Sequence, residues 1–139
     1  MLEIKKLSKT FFPGTPNEHV ALNRLELNLR DGEFVTIIGS NGAGKSTLFN
    51  AICGSILPDS GSIKLGGKDI TFTPEHKRAK FIGRVFQDPM KGTAPSMSIE
   101  ENLALAYTRS HSGPLSRAIN RRDRELFRDA LARYGMGLE

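Results

Sequence analysis

The chain has 139 residues, 38% of them hydrophobic and 25% charged, with a formal net charge of +5. That balance fits one soluble globular domain or a piece of one, and the single cysteine, Cys53, excludes an intrachain disulfide. No run reaches the roughly 18 apolar residues of a membrane helix, and the start, Met1-Leu-Glu-Ile-Lys-Lys6, has no apolar signal core, so the sequence reads as cytoplasmic.

The elements follow in chain order. Leu2–Leu7 and Leu25–Leu29 alternate apolar and polar residues, which predicts two half-buried strands of an antiparallel sheet. Asp31-Gly32 is the turn into Phe34-Val-Thr-Ile-Ile38, whose nearly continuous apolar character predicts a central strand covered on both faces. A glycine-rich loop and then a helix follow, with Leu48, Phe49, Ile52 and Cys53 on one side and Gly54 closing it. Pro58–Gly61 is a turn, Ser62–Leu65 a short strand, Gly66-Gly67 a second turn, and Lys80–Phe86 a further strand. Ser98-Ile-Glu-Glu101 has the spacing of a capping box and starts a helix that ends before Gly113-Pro114. Leu126, Phe127, Ala130, Leu131 and Tyr134 form an apolar stripe at helical spacing, read as core packing. Arg117, Arg121, Arg122, Arg124 and Arg128 lie around it, and the one aromatic among them, Phe127, belongs to the stripe. They read as a solvated helix face, and no nucleic-acid partner is expected. Too few strands are present to flank a central parallel strand, which suggests a truncated domain.

The chemistry is concentrated in Gly39, Ser40, Asn41, Gly42, Ala43, Gly44, Lys45 and Ser46, which match G-x-x-x-x-G-K-[ST] in full. Glycines let backbone amides close around a triphosphate. The helix that follows offers its free amides and the positive end of its dipole to the same anion. Lys45 supplies a mobile charge for the β and γ phosphates, and Ser46 a hydroxyl for Mg²⁺. Asn41 shapes the loop tip. Thr47 either bonds a phosphate or caps the helix. ATP and Mg²⁺ are therefore the expected ligands.

The surrounding residues narrow the class. D-x-x-G and N-K-x-D, which a small GTPase would need, are absent, and about 30 residues precede the loop strand. Leu7-Ser-Lys-Thr-Phe11, Ala21-Leu-Asn23, Asp31-Gly-Glu-Phe34, Ile38–Leu48, Pro58–Ile63 with Gly66–Ile70, Val85-Phe-Gln-Asp-Pro89 and Ser98–Leu103 occur in the order of an ATP-binding cassette. The whole chain resembles the N-terminal part of the ATP-binding subunit of an ABC transporter. The resemblance implies an α/β P-loop NTPase with an N-terminal antiparallel β subdomain and part of a parallel core sheet. By the same resemblance residues 1–97 would be the nucleotide-binding core and 98–139 the start of a helical subdomain.

It also implies roles for single residues. Phe11 is favoured over Phe12 as the aromatic platform for adenine, and Gln87 would contact Mg²⁺ or the attacking water. The loop Asp88–Met97 would relay that contact to the next subdomain. The family's signature loop, the acidic strand end, the catalytic glutamate and the switch histidine are absent from these 139 residues, so this chain alone is expected to be inactive. The implied whole is an energy-coupling ATPase working with transmembrane permease subunits, a second ATPase subunit and an extracytoplasmic substrate-binding protein. It would sit on the inner face of the cell membrane, with an importer favoured. Because Met1 lies just before the first strand, no membrane domain is expected in front. Two other readings stay open: a soluble ABC ATPase acting on the ribosome or DNA, and a nucleotide-binding module without catalysis.

Overall fold

A computed structural model describes residues 1–108, 119–135 and 137. The chain forms two units, Met1–Arg78 and Ala79–Glu139.

The first unit is built on an antiparallel sheet. Strands β1 (Leu2–Phe11), β2 (His19–Leu29), β3 (Ser60–Leu65) and β4 (Lys68–Asp69) lie in the order β2-β1-β3-β4. The expected alternation is there: Ile4 pairs with Leu27 on one side and Ile63 on the other. With a side-chain period of two, these residues face together. Ile4, Leu7, Leu22 and Ile63 are buried, as are Leu48 and Ala51 of helix α1 (Lys45–Cys53) and Ile70. Strands β1 and β2 both run longer than the apolar alternation indicated, because their register shifts between Ile4 and Thr10 break the strict period. Gly66 and Gly67, at φ 57° and 79°, make the two-residue turn between β3 and β4. Positive φ at both centres matches the right-handed twist of the strands, which explains the paired glycines.

Two expected strands do not form. Phe34–Ile38 is unpaired, with Phe34 93% and Ile38 90% exposed, and Lys80–Phe86 is unpaired with Val85 97% exposed. The physical reason is that an apolar run becomes a central strand only when neighbours satisfy its backbone groups. Among the described residues, neither run is hydrogen-bonded into a sheet.

In the first unit, a short helix α2 (Glu75–Arg78) follows the Thr71-Phe72 turn. The second unit opens with a 3-10 turn at Pro89–Lys91, inside a stretch expected to have no regular structure. Helices α3 (Ile99–Thr108) and α4 (Arg121–Ala132) follow. The capping box is formed. Ser98 N–H donates to the Glu101 carboxylate at 2.8 Å, and Glu101 N–H donates to Ser98 Oγ at 3.2 Å. Ser98 N–H and then the Ser98 hydroxyl, which donates to the same carboxylate at 3.0 Å, stabilise the charged form and hold the Glu101 pKa below its ordinary value. Ser98→Ala is expected to cost the second unit about 1 kcal/mol. Helicity loss on warming measures it, and an unchanged melting curve would count against the cap.

The apolar stripe on α4 is only partly core. Phe127 is 6% exposed and meets Tyr107 edge-on at 5.9 Å, whereas Leu126 and Tyr134 are 49% and 74% exposed. Within the described part of the unit, α4 packs on α3 along one narrow seam, and one helix face cannot cover the whole stripe. Arg124 donates to Glu100 across that seam at 2.6 Å, and Arg121 pairs with Glu125 on the same helix. Arg117 lies outside the described residues.

Candidate phosphate site at the start of α1

Gly39–Gly44 curls into the amino end of α1. Gly42 and Gly44 both have φ 84°, a left-handed conformation that a side chain disfavours. Ala43 N–H donates to the Ser40 carbonyl at 3.2 Å, which closes the bend. The Lys45 ammonium folds back over it, donating to the carbonyls of Gly39 at 2.6 Å and Ser40 at 2.7 Å. The charge is therefore held over the loop, within reach of any anion the loop amides receive.

The helix begins without a side-chain cap. Its N-cap is Gly44, and no acidic residue sits in the first turn. Thr47 lies inside the helix, so the capping alternative for it fails. The first amides of a helix have no partner within it, and the dipole adds positive potential there. A cap or carboxylate would have satisfied or neutralised both, so the sequence keeps this end suited to an anion. Gly44 has a second reason to be glycine. It is buried, and an added Cβ would overlap the Ala21 carbonyl of β2. That close approach fixes the start of α1 against the sheet.

The other candidates are spread out. Phe11 ends β1 half-buried, with the Lys9 ammonium 5.8 Å from its ring centroid. Phe12 beside it has φ 52° and is 66% exposed. Lys9 also donates to Asp59 at 2.7 Å, and Thr10 N–H donates to the same carboxylate at 2.6 Å. Those two bonds, that of Lys9 first, lower the Asp59 pKa from its ordinary value. Ser46 and Gln87 are exposed, and Gln87 lies in the second unit. Among the described residues, no group of three or more His, Cys, Asp or Glu could hold a metal ion. A lone neutral hydroxyl such as that of Ser46 fits a hard cation that takes most of its oxygen ligands from phosphate and water.

One residue escaped the sequence reading. Arg78 lies in a run of charged residues that reads as solvent-facing, yet it is 0% exposed. Its guanidinium donates to four backbone carbonyls: Ala51 and Ile52 of α1 at 2.8 Å, Thr73 at 2.7 Å and Thr71 at 2.9 Å. Burial pushes its pKa down from the usual value. Nothing local in the sequence separates Arg78 from its neighbours His76 and Lys77.

The glycine-lined bend, the lysine over it and the uncapped helix start have the geometry of a P-loop. The family model for ABC transporters matches residues 22–138, and the chain belongs to that family. A tyrosine transport ATP-binding protein of Clostridioides difficile is 50% identical over 109 residues, covering 78% of this chain and 43% of its own length. A spermidine/putrescine import ATP-binding protein of Bacteroides fragilis is 39% identical over 104 residues, 75% of this chain and 21% of its own. A solved ATP-binding cassette, in a dimeric post-hydrolysis state bound to ADP and Pi, has a TM-score of 0.76 at 28% identity. That match covers 95% of this chain and 56% of the cassette. The fold is thus that of an ATP-binding cassette, and the chain spans about half or less of the length of these relatives.

Proposed function

We propose that residues 39–47 bind the phosphates of ATP and that the whole protein hydrolyses ATP to drive a membrane transporter, an importer in this reading. The observation that carries this is the uncapped start of α1, with Lys45 folded over a glycine bend. Loop and helix amides would receive the phosphate oxygens, and Lys45 would exchange its two carbonyl partners for the β and γ phosphates. Ser46 and Gln87 would hold Mg²⁺, which when bound neutralises developing phosphate charge. Gln87 would orient the attacking water by hydrogen bonding, since its amide carries no charge to be neutralised.

The importer reading draws support from the polyamine import relative, and transport in general from the tyrosine transport relative. The proposed partners are transmembrane permease subunits, a second copy or close homologue of the ATPase subunit, and an extracytoplasmic binding protein. The protein would then work on the inner face of the cell membrane. No helix among the described residues is long and apolar enough to cross a membrane. Residues 1–97 would act as the nucleotide-binding core and 98–139 as the start of the helical subdomain that meets the permease.

Phe11 is the proposed base platform. Phe11→Ala is expected to weaken ATP binding by roughly 1–3 kcal/mol, since stacking supplies about that much per base. Every base has a π face, so ATP and GTP should differ little in affinity. Competition titrations of the two nucleotides test this reading, and a preference of about 100-fold or more would mean that hydrogen bonds read the base instead.

A further inference from the structure

We infer that Arg78 is a positioning residue for the phosphate site: by binding the carboxyl end of α1, it keeps the amides at the amino end ordered for a triphosphate it does not touch. The inference rests on the reading of residues 39–47 as a phosphate site.

Helix α1 has nine residues. Isolated helices shorter than about 12–15 residues are marginal in water, so its order must come from attachments. At the amino end, Gly44 sits against the Ala21 carbonyl. At the other end, the last carbonyls of a helix have no amide within it. The amides of Gly54, Ser55 and Ile56 all turn onto Asn50 O, at 2.9, 3.0 and 3.3 Å. The carbonyls of Ala51 and Ile52 are taken by Arg78 Nη1, while Nη2 and Nε reach Thr71 and Thr73. One side chain thus ties the last turn of α1 to the segment after β4.

The fit is specific to arginine. A planar fork of donors meets four carbonyls, whereas a lysine has three donors on one atom. Space is matched as well: a Cβ added to Gly54 would lie 2.8 Å from Arg78 Nε. The guanidinium also offsets the negative end of the helix dipole, leaving the positive end less opposed where phosphate would bind. Asp69 is the charged group that acts on it electrostatically, and it is itself held by Thr71 N–H and Oγ1 at 2.9 and 2.7 Å.

The consequence for binding is a population effect. Apparent affinity falls in proportion to the fraction of molecules in the competent state. If loss of this tie leaves α1 ordered in about a tenth of molecules, the ATP Kd rises about tenfold.

The test uses the complete chain with Arg78→Lys, which keeps the charge and loses the fork, and Arg78→Met, which keeps only the stem. Amide hydrogen exchange of Leu48–Cys53 is compared with that of Ile4 and Leu7 in β1, and ATP is titrated at a temperature where each variant is folded. For Arg78→Lys we expect α1 amides to exchange at close to their unprotected rate, with β1 unchanged and the ATP Kd raised about five- to tenfold. Saturating ATP should restore α1 protection. Unchanged exchange in α1, or an equal rise in α1 and β1 with unchanged Kd, would overturn the inference and leave Arg78 a structural staple. Should Arg78→Met not fold, Arg78→Lys alone decides. Absence of ATP binding by the unsubstituted chain would defeat the phosphate reading, whereas α1 exchange in Arg78→Lys without nucleotide would still judge the positioning claim.

Discussion

Gly44→Ala is expected to destabilise the first unit by about 3 kcal/mol or more and to abolish tight ATP binding. Two costs combine. A side chain at φ 84° carries about 1–2 kcal/mol of backbone strain. The new methyl would also overlap the Ala21 carbonyl, and a backbone atom in a paired strand cannot swing aside as a side-chain tip can. Either β2 bends or α1 moves away from the sheet, and the second outcome displaces the amides of the phosphate site. Gly42→Ala is the control, because it has the same φ and nothing within 4 Å of the added methyl. Urea unfolding of both variants separates the terms. Equal losses would show that the close approach is not what requires glycine at position 44.

The contrast between these two glycines shows where sequence reading stops. The loop pattern places both in the glycine-rich bend, and local chemistry explains why both have positive φ. Only the fold shows that one of them lies against a carbonyl 23 residues earlier in the chain. Arg78 teaches the same lesson more strongly. Its burial depends on carbonyls 26 and 27 residues away, so no local window could report it.

Signals that act over three or four residues were legible. Ser98 and Glu101 announced the start of α3, Gly54 the end of α1, and Gly66-Gly67 the hairpin turn. The two capping-type signals work because donor and acceptor lie within one turn of each other. Periodicity was less dependable. Leu25, Leu27 and Leu29 alternate in burial as expected, yet Phe34–Ile38 and Lys80–Phe86 stay unpaired. Apolar character measures what a segment would gain by burial, whereas a strand also needs partners for its backbone. Leu126 and Tyr134 fall short for a related reason, since a helical stripe is buried only as far as its neighbour reaches. For the candidate site, the sequence pattern located the glycine bend and the start of α1 that follows it. The alternative of Thr47 as a cap was settled by geometry alone, because Gly44 occupies that position.

Lys45→Ala bears on the central claim with the fewest assumptions. In the chain as described, the ammonium bonds only two exposed loop carbonyls, Gly39 and Ser40, and makes no ion pair among the described residues. Hydrogen bonds of that kind contribute little to the core, so unfolding should be nearly unaffected. Toward a triphosphate the same ammonium would make charge-assisted bonds worth about 1.5–3 kcal/mol, or roughly a 10- to 100-fold effect on Kd. The decisive measurement is an ATP titration of the parent and Lys45→Ala chains side by side, with urea midpoints taken on the same samples. The account predicts ATP binding weakened by about tenfold or more at an unchanged midpoint. Superimposable titrations, at equal stability, would contradict it and remove residues 39–47 as the phosphate site.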